Sequence, residues 1–379
     1  MANEDRSTRY QRLRRRAVAA TALVDGALLV GVLTSGLSRA LTDTLDDTGM
    51  PAPFATAAFV LALAAARTVL ILPIAFVTDV VVGRRYGRMP PSALHWGTGF
   101  LGRAVVLAAA LTGAALVIQL AAWWSASNWW AWAAVVLSAA VLCGAAVVPA
   151  LAARSASGVV PLGRADLEAR LTALARRAGA PGVPVFQWRV GRRGSGTALL
   201  VGMGPSRRIL VADTVLDTHS DDEVEVIVAH ELAHHRRADT WWSAAAAACA
   251  GTLGLYAAAR VLPVAGGTFS LAGPSDPAAL PLMALVSGGV AAAVAPLVNL
   301  VSRAQERRAD RDALAWTGNA PALVRTLRRL SAAHLVEDRP PGWAEALFHR
   351  HPAVAERITA AETWGAANSQ VTSHKSQSQ

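Results

Sequence analysis

Apolar runs long enough to cross a lipid bilayer dominate the hydrophobic pattern of this chain. A spanning helix needs about 20 mostly apolar residues. The first run follows an arginine-rich start and shows no convincing small-residue cleavage site, so we expect an uncleaved span rather than a signal peptide. The pattern therefore predicts a mainly α fold, built on a multi-pass bundle of transmembrane helices. Six stretches reach the required length, at roughly 17–38, 55–82, 100–122, 129–153, 241–262 and 280–301.

The longest polar section lies between the fourth and fifth runs and mixes helical and strand patterns. Its first predicted element is an amphipathic helix over Asp166–Ala178. Apolar residues bounded by turn signals predict strands at Val183–Val190 and Arg208–Ala212, with a short edge strand at 197–201 between them. Ser220-Asp-Asp-Glu223 is a capping box that begins a further helix. We expect this section to form an α+β domain.

These patterns divide the chain into five segments, and no internal repeat is evident. The expected segments are an N-terminal membrane region with about four spans (1–153), the polar section with the Ser220 helix (154–240), two further spans (241–301), a C-terminal helical part of the polar domain (302–364) and a disordered Ser/Gln-rich tail (365–379).

Composition and charge favour a membrane protein over a nucleic-acid-binding one. Hydrophobic residues make up 53% of the chain and charged residues 16%, below the usual charged share of about 25%. The net charge is +10, but the arginines lie mostly in connections between apolar runs, where a multi-pass protein carries orienting charge. We see no basic face with interleaved aromatic residues and expect no nucleic-acid partner. Cys143 and Cys249 lie in apolar runs and offer no disulfide framework.

The charge of successive connections predicts how the chain is oriented. Cytoplasmic connections carry an excess of Lys and Arg. The alternation therefore places both termini and the section 154–240 on the cytoplasmic side of a plasma membrane. The third connection is uncharged and flanked by tryptophans, which are typical of a membrane interface. The orienting residues are Arg6, Arg9, Arg12, Arg14, Arg15 and Arg16 at the start, Asp43, Asp46 and Asp47 in the first connection, and Arg84, Arg85, Arg88 and Arg103 in the second.

The predicted Ser220 helix carries a His-Glu-x-x-His motif. His230 and His234 are four residues apart, so on a helix their directions differ by only about 40° and both imidazoles can reach one metal ion. Glu231 lies beside them, where a carboxylate can hold a water molecule against the metal. The alternative is a pair of surface histidines on a polar helix. The motif favours one catalytic zinc ion per chain, with Glu231 as the general base.

A catalytic zinc ion needs a third protein ligand and an open position. The best candidate is Glu306, because its helix emerges from the sixth span while the His230 helix leads into the fifth, which places both at the same membrane face. Asp310, one turn later, and Asp239, just after the histidines, are candidates to orient the ligand histidines. Either aspartate could instead be an ordinary surface residue.

At these residues the chain resembles the integral-membrane zinc endopeptidases that include the type I CAAX prenyl endopeptidases and the bacterial heat-shock membrane proteases. The His-Glu-x-x-His motif of that family matches 230–234, and its Asn-x-x-Ser-Arg-x-x-Glu-x-x-Ala-Asp motif matches 299–310 at every fixed position. Residues 208–214 and 351–358 are also similar, so the resemblance is strong from about 160 to 358 and weaker upstream. It implies a zincin-like protease domain with His230, His234 and Glu306 as zinc ligands.

The resemblance also implies roles for residues that the spacing alone does not single out. His351 and Arg357 match family positions that assist with substrate or with the oxyanion. The family often has Asn-Ala-Tyr in its substrate-pairing edge strand, where this chain has Thr197-Ala198-Leu199. Pairing through the backbone tolerates that change, whereas a contact made by the asparagine does not.

The function expected from these patterns is peptide hydrolysis at the cytoplasmic membrane face, with a peptide or a membrane protein as the substrate. A protease with its site inside the bilayer fits less well, because charged residues flank the motif on both sides. Two alternatives remain open: a sensor-type membrane metalloprotease, and a non-catalytic scaffold with a structural zinc ion. The sequence specifies neither the natural substrate nor the oligomeric state.

Overall fold

The structure is a computed structural model that describes residues 5–88, 92–155, 158–190, 198–202 and 207–377. The chain divides into two compact units. The membrane unit comprises Arg9–Val141 and Ala245–Ala295, and the sheet unit comprises Met1–Thr8, Leu142–Ala244 and Pro296–Gln379.

Long apolar helices account for all six predicted runs. Among the described residues, six helices are long and apolar enough to cross a membrane, which confirms the multi-pass helical fold. Val77–Val82 continues the third helix with π-helical geometry, as far as the short fourth helix. The helices up to the first polar section are α1 (Arg6–Thr34), α2 (Leu37–Asp47), α3 (Ala52–Phe76), α4 (Gly83–Arg85), α5 (Ala93–Trp124) and α6 (Trp129–Ser155).

The first predicted span differs from the helix that the structure contains. The sequence predicts a span at roughly 17–38, whereas α1 runs from Arg6 to Thr34. Gly36 has a φ of 74°, in the left-handed region that a right-handed helix cannot include. The apolar run is therefore broken there, and the acidic residues that follow belong to the short helix α2 rather than to an irregular connection.

Polar side chains inside the membrane unit pair with one another. Arg67 of α3 donates two hydrogen bonds to Asp25 of α1, with Nε–Oδ1 at 2.7 Å and Nη2–Oδ2 at 3.1 Å. Gln119 of α5 donates to the Thr56 hydroxyl of α3 at 2.7 Å. Because charged and polar groups without partners are costly in a bilayer, this pairing suits helices that cross one.

The sheet unit is built on a small mixed sheet. The strands are β1 (Val159–Pro161), β2 (Val185–Trp188), β3 (Ala198–Val201) and β4 (Arg208–Ala212), in the order β1-β2-β4-β3. The β2 and β4 strands are parallel, while β1 and β3 pair antiparallel with β2 and β4 and form the two edges. The predicted edge strand is therefore an edge strand in the structure, apart from Thr197, which lies outside the described residues. The β1 strand was not predicted from the sequence, because it has only three residues and includes a proline.

Two helices share the buried core of the sheet unit with these strands. The helix α7 (Ala165–Arg177) matches the predicted amphipathic helix, and α8 (Asp213–Thr218) leads to α9 (Asp221–Arg236). Leucines of α7 and apolar residues of α9 pack against β4 in one cluster, so α9 lies fixed against the sheet. The core residues that decide this packing are Leu167, Leu171, Leu174, Ile209, Val211, Val224, Val228 and Leu232.

The remaining helices are α10 (Asp239–Ala265), α11 (Leu280–Thr317), α12 (Ala320–His334), α13 (Gly342–Phe348) and α14 (Val354–Gln377). The structure differs here from the predicted disordered tail at 365–379, because α14 continues to Gln377. Trp364 packs against the cluster that α12 and α14 share, and Gly365 approaches Ala320 closely. These contacts explain why α14 continues into a segment whose polar composition predicts disorder. The helix-favouring residues Ala366 and Ala367 contribute to the same result.

Candidate metal centre

The helix that carries the two histidines begins at a complete capping box. The Ser220 hydroxyl accepts a hydrogen bond from the Glu223 backbone N–H at 3.4 Å, and the Glu223 carboxylate accepts one from the Ser220 N–H at 2.8 Å. The helix ends at Arg236, and Ala238 has a positive φ of 56° before α10 begins at Asp239. The capping box and the sheet core together hold the part of α9 that leads to the histidines.

Three sequence-predicted ligands converge in the sheet unit. The Nε2 atoms of His230 and His234 lie 3.1 Å apart. The two oxygens of Glu306, on α11, lie 3.4 Å from them, Oε2 from His230 and Oε1 from His234. The ligand atoms of these three residues all lie within 4.8 Å of one another. The structure thus brings α9 and α11 together at the residues that both sequence motifs supply.

A carboxylate faces the second nitrogen of each histidine. Asp239 Oδ2 accepts a hydrogen bond from His234 Nδ1 at 2.8 Å, and Asp310 Oδ1 lies 3.0 Å from His230 Nδ1. Both aspartates are buried. Both residues that the sequence suggested as orienting groups therefore lie where such groups act.

Arg357 and His351 approach the same centre from the C-terminal part of the chain. Arg357 donates two hydrogen bonds of 2.7 Å to the two oxygens of Asp310, and its Nη1 lies 3.7 Å from Glu306 Oε2. His351 Nδ1 lies 3.0 Å from the same Glu306 oxygen, and its side chain is 68% exposed. Arg357 is thus engaged with carboxylates of the site, while His351 is open to a ligand arriving from solvent.

The donor set fits a zinc ion. Tetrahedral ligands at about 2.0–2.1 Å from zinc are themselves about 3.3–3.4 Å apart. The two histidine Nε2 atoms lie 3.1 Å apart, and each lies 3.4 Å from a different oxygen of Glu306, which suits a carboxylate that faces the ion with both oxygens. With protons on the Nδ1 atoms that face Asp239 and Asp310, both Nε2 lone pairs point toward the Glu306 carboxylate. Glu306 Oε2 is buried, and no described nitrogen meets it with hydrogen-bond geometry. Three electron-rich groups directed at one point are stabilised by a cation.

Protonation in the centre reflects its buried charges. Burial lowers the pKa of His230, but Asp310 and Glu306 outweigh it and raise the value to about 9. His234 shows the same balance, since burial lowers its pKa and Glu306 and Asp239 raise it above the usual value. Burial raises the pKa of the Glu231 carboxyl, against the opposing charge of the histidines. A carboxyl with a raised pKa is a better proton acceptor near neutral pH.

The edge strand lies beside the helix of the metal motif. The β3 strand pairs with β4 on one side, and α9 packs against β3. Ala198 is buried and Leu199 is half-buried, with Ala198 opposite Val211 and Leu199 opposite Leu210. The structure therefore places the described part of the predicted substrate strand next to α9.

Two residues of the second motif have contacts that sequence reasoning did not predict. Asn299 donates through Nδ2 to the carbonyls of Ala346 at 2.9 Å and Leu347 at 3.0 Å. Arg303 donates through Nη1 to the carbonyls of Glu345 at 2.9 Å and His349 at 3.0 Å. The sequence does show an Asn and an Arg four residues apart, which lie on one face of α11. Their acceptors could not be predicted, because they lie more than forty residues away in sequence.

Two family models together match most of the chain. Residues 161–365 match the model of peptidase family M48. Residues 2–153 match a model described as the CAAX prenyl protease N-terminal region with five membrane helices. The N-terminal match ends within α6 and the M48 match begins at the last residue of β1, so the boundary between them falls where the polar section begins.

Individual relatives agree with these matches. The uncharacterized metalloprotease YhfN of Bacillus subtilis is 30% identical over 207 residues, which cover 53% of this chain and 49% of that protein. A protease HtpX homolog of Nostoc punctiforme is 32% identical over 139 residues, covering 36% of this chain and 47% of that protein. The aligned region thus spans about half the length of these two relatives.

A solved structure shows the same fold. The crystal structure of S. mikatae Ste24p matches 94% of this chain and 87% of that chain with a TM-score of 0.75, at 18% sequence identity. At this identity the similarity concerns the fold. Because the M48 model covers more than half of the sequence, including both motifs of the candidate centre, this chain belongs to peptidase family M48.

Proposed function

We propose that this protein is a membrane-embedded zinc metalloendopeptidase that hydrolyses peptide bonds at the cytoplasmic face of the membrane. The observation that carries the proposal is the convergence of His230, His234 and Glu306, with Glu231 on the same turn of α9. Membership of a peptidase family supports it, as does the description of the relatives as proteases and metalloproteases.

Each residue of the centre has a distinct proposed role. His230, His234 and Glu306 would hold the zinc ion. When bound, zinc would polarise the scissile carbonyl and lower the pKa of water to about 7. Glu231 accepts the proton of the attacking water and then delivers it to the leaving amine. Burial raises the pKa of Glu231, which suits a carboxyl group that first accepts a proton and then donates it.

The aspartates and Arg357 act through the ligands. Asp239 and Asp310 fix the rings of His234 and His230 so that both Nε2 atoms face Glu306. The family resemblance implies that Arg357 assists with substrate or with the oxyanion, but its contacts with Asp310 and Glu306 support a positioning role. Burial acts to lower the pKa of Arg357, and Asp310 more than offsets it, so the guanidinium stays charged.

His351 and β3 are the parts of the site proposed to meet the substrate. The exposed His351 imidazole, beside Glu306, is placed to donate a hydrogen bond to the substrate carbonyl oxygen. An extended peptide would add to the sheet along the edge of β3 that no described strand pairs with, so that backbone hydrogen bonds position it while side chains remain variable. Thr197-Ala198-Leu199 would then contribute mainly through the backbone.

Glu231→Gln is the direct test of catalysis. We expect the variant to keep its zinc and lose activity by about 10²–10⁴-fold, the usual contribution of a general base. Zinc content and cleavage of a quenched peptide library, with and without chelator, would be measured on detergent-purified protein. Glu168→Gln, on the exposed surface of α7, is the matched control. Near-wild-type cleavage by Glu231→Gln would remove the proposed base, and zinc without any cleavage by the wild type would favour a structural scaffold.

A further inference from the structure

The short helix α13 presents an apolar face to the outside of the sheet unit. Trp343 is 61% exposed, Leu347 45% and Phe348 37%. The rings of Trp343 and Phe348 contact edge to face, with centroids 6.3 Å apart. Two large aromatic rings and a leucine on a seven-residue helix form an apolar patch that the core of this unit leaves uncovered, and such patches usually mark an interaction surface.

The position of α13 along α11 indicates what covers this patch. Asn299 and Arg303 of α11 donate hydrogen bonds to backbone carbonyls at the C-terminal end of α13 and just after it. Leu297, Leu300 and Val301 are exposed on other faces of α11, and from Arg303 onward the helix becomes highly charged. The surface of α11 therefore changes from apolar to charged between Asn299 and Arg303, the two residues that bind α13. These two residues lie about 6 Å apart along the helix axis.

We propose that α13 lies in the interfacial layer of the lipid bilayer, with Trp343, Leu347 and Phe348 directed into the lipid. Tryptophan is enriched at this depth because its ring is apolar and its N–H is polar. The carboxylate on α13, Glu345, has its Oε1 3.8 Å from Arg303 Nε. The exposed Arg339 and Arg350 flank the helix and suit anionic headgroups.

Contact with the bilayer has a consequence for the candidate centre. Arg303 holds the carbonyl of His349, and His351 follows two residues later with its Nδ1 3.0 Å from Glu306. The membrane surface thus supports the segment that places His351 beside a metal ligand. This inference rests on membrane embedding and not on peptidase activity, so each can fail without the other.

Spin labels on the full-length protein in phospholipid nanodiscs test the proposal. Cys143 and Cys249 are first replaced by alanine, and a single nitroxide is then attached at Leu347→Cys or, separately, at Trp343→Cys. Collision rates with oxygen, which concentrates in lipid, and with a water-soluble nickel chelate report the surroundings of each label. Leu300→Cys serves as the lipid-facing control, and Glu168→Cys as the exposed polar control.

The proposal predicts that labels at 347 and 343 resemble the label at 300, with frequent oxygen collisions and few nickel collisions. Labels that resemble the one at 168 would show that the patch faces water. Labels shielded from both reagents would show that protein covers the patch, from a second copy or a partner. Either of these results overturns the proposal, and the label at 347 decides it if the Trp343→Cys variant does not fold.

Discussion

His230 and His234 each face a carboxylate, but the two carboxylates are held differently. Asp239 lies only five residues after His234 and bonds it directly at 2.8 Å. Asp310 is held in turn by two hydrogen bonds from Arg357. The His230 side of the centre therefore depends on a chain of contacts from α14 through α11 to α9.

Replacing either aspartate should weaken zinc binding. We expect about a 10–100-fold loss of affinity for Asp239→Asn and for Asp310→Asn, because partners of this kind fix the tautomer and direction of a ligand histidine. Competition against a chelator of known affinity would measure the loss. Asp312→Asn is the control, since Asp312 is close to Asp310 on α11 but pairs with Arg237 at the surface. Unchanged affinity in Asp310→Asn would contradict the assigned role.

At the residue scale, short spacings were more informative than long ones. The four-residue spacing of His230 and His234 and the fixed positions around Glu306 pointed to residues that lie close together in the structure. The contact of Arg357 with Asp310 could not be predicted, because it joins residues 47 apart and depends on where α14 packs. The backbone carbonyls that accept hydrogen bonds from Asn299 and Arg303 could not be predicted for the same reason.

At the element scale, α9 shows how a local signal and a long-range contact combine. The capping box at Ser220 was predicted from four residues and is present. The contacts of Glu223 with α12 were not predicted, with Oε1 lying 3.3 Å from Arg329 Nε and 3.6 Å from Arg325 Nε. Burial acts to raise the pKa of Glu223, but Ser220 and Arg329 outweigh it and the pKa is lowered.

Glu223→Gln should reduce stability in a pH-dependent way. Glutamine can still close the capping box, so the change mainly removes the charge that faces Arg325 and Arg329. Because the folded pKa is lowered, the charge contributes stability above the unfolded pKa of about 4.3, and this contribution is lost as pH falls through the folded pKa. Apparent Tm in detergent should therefore be lower than wild type at pH 7, and the difference should shrink below about pH 4.

Ser220→Ala is the companion variant for this test. It should cost about 1 kcal/mol at pH 7, because it removes the hydroxyl of the cap, and only the part of this cost that comes from the Ser220 Oγ–Glu223 Oε2 hydrogen bond should be lost on acidification. A Glu223→Gln deficit that stays constant on acidification would contradict the electrostatic explanation.

The elements that the sequence predicted poorly are those with weak local signals. The three-residue β1 has no alternation to detect. The end of α1 depends on one left-handed glycine inside a continuous apolar run. The last helix, α14, extends into a polar segment because Trp364 packs against α12, a contact that composition cannot reveal.

At the scale of the whole molecule, the apolar runs were sufficient to predict the multi-pass fold. In the described part of the chain, length and hydropathy alone identify six such helices, because a bilayer imposes one dominant requirement on a spanning segment. The side on which each connection lies is inferred from charge and remains part of the proposal, together with the five-segment division of the chain and a location in the plasma membrane.

Orientation can be tested by labelling with a membrane-impermeant maleimide. In a background without Cys143 and Cys249, Thr48→Cys lies in the acidic connection after α2, and Glu168→Cys lies in the polar section. Because basic connections stay in the cytoplasm, intact cells should label Thr48→Cys and spare Glu168→Cys until they are permeabilised. The opposite pattern would place the candidate centre outside the cell.

The most direct test of the central claim is zinc X-ray absorption on the purified full-length protein, with metal content measured on the same sample. We expect about one zinc ion per chain, with two imidazoles and oxygen ligands at about 2.0–2.1 Å. Glu306→Ala should lose most of the metal. Wild-type protein that binds no zinc, or a zinc ion bound without imidazole, would contradict the assignment of His230, His234 and Glu306 as its ligands.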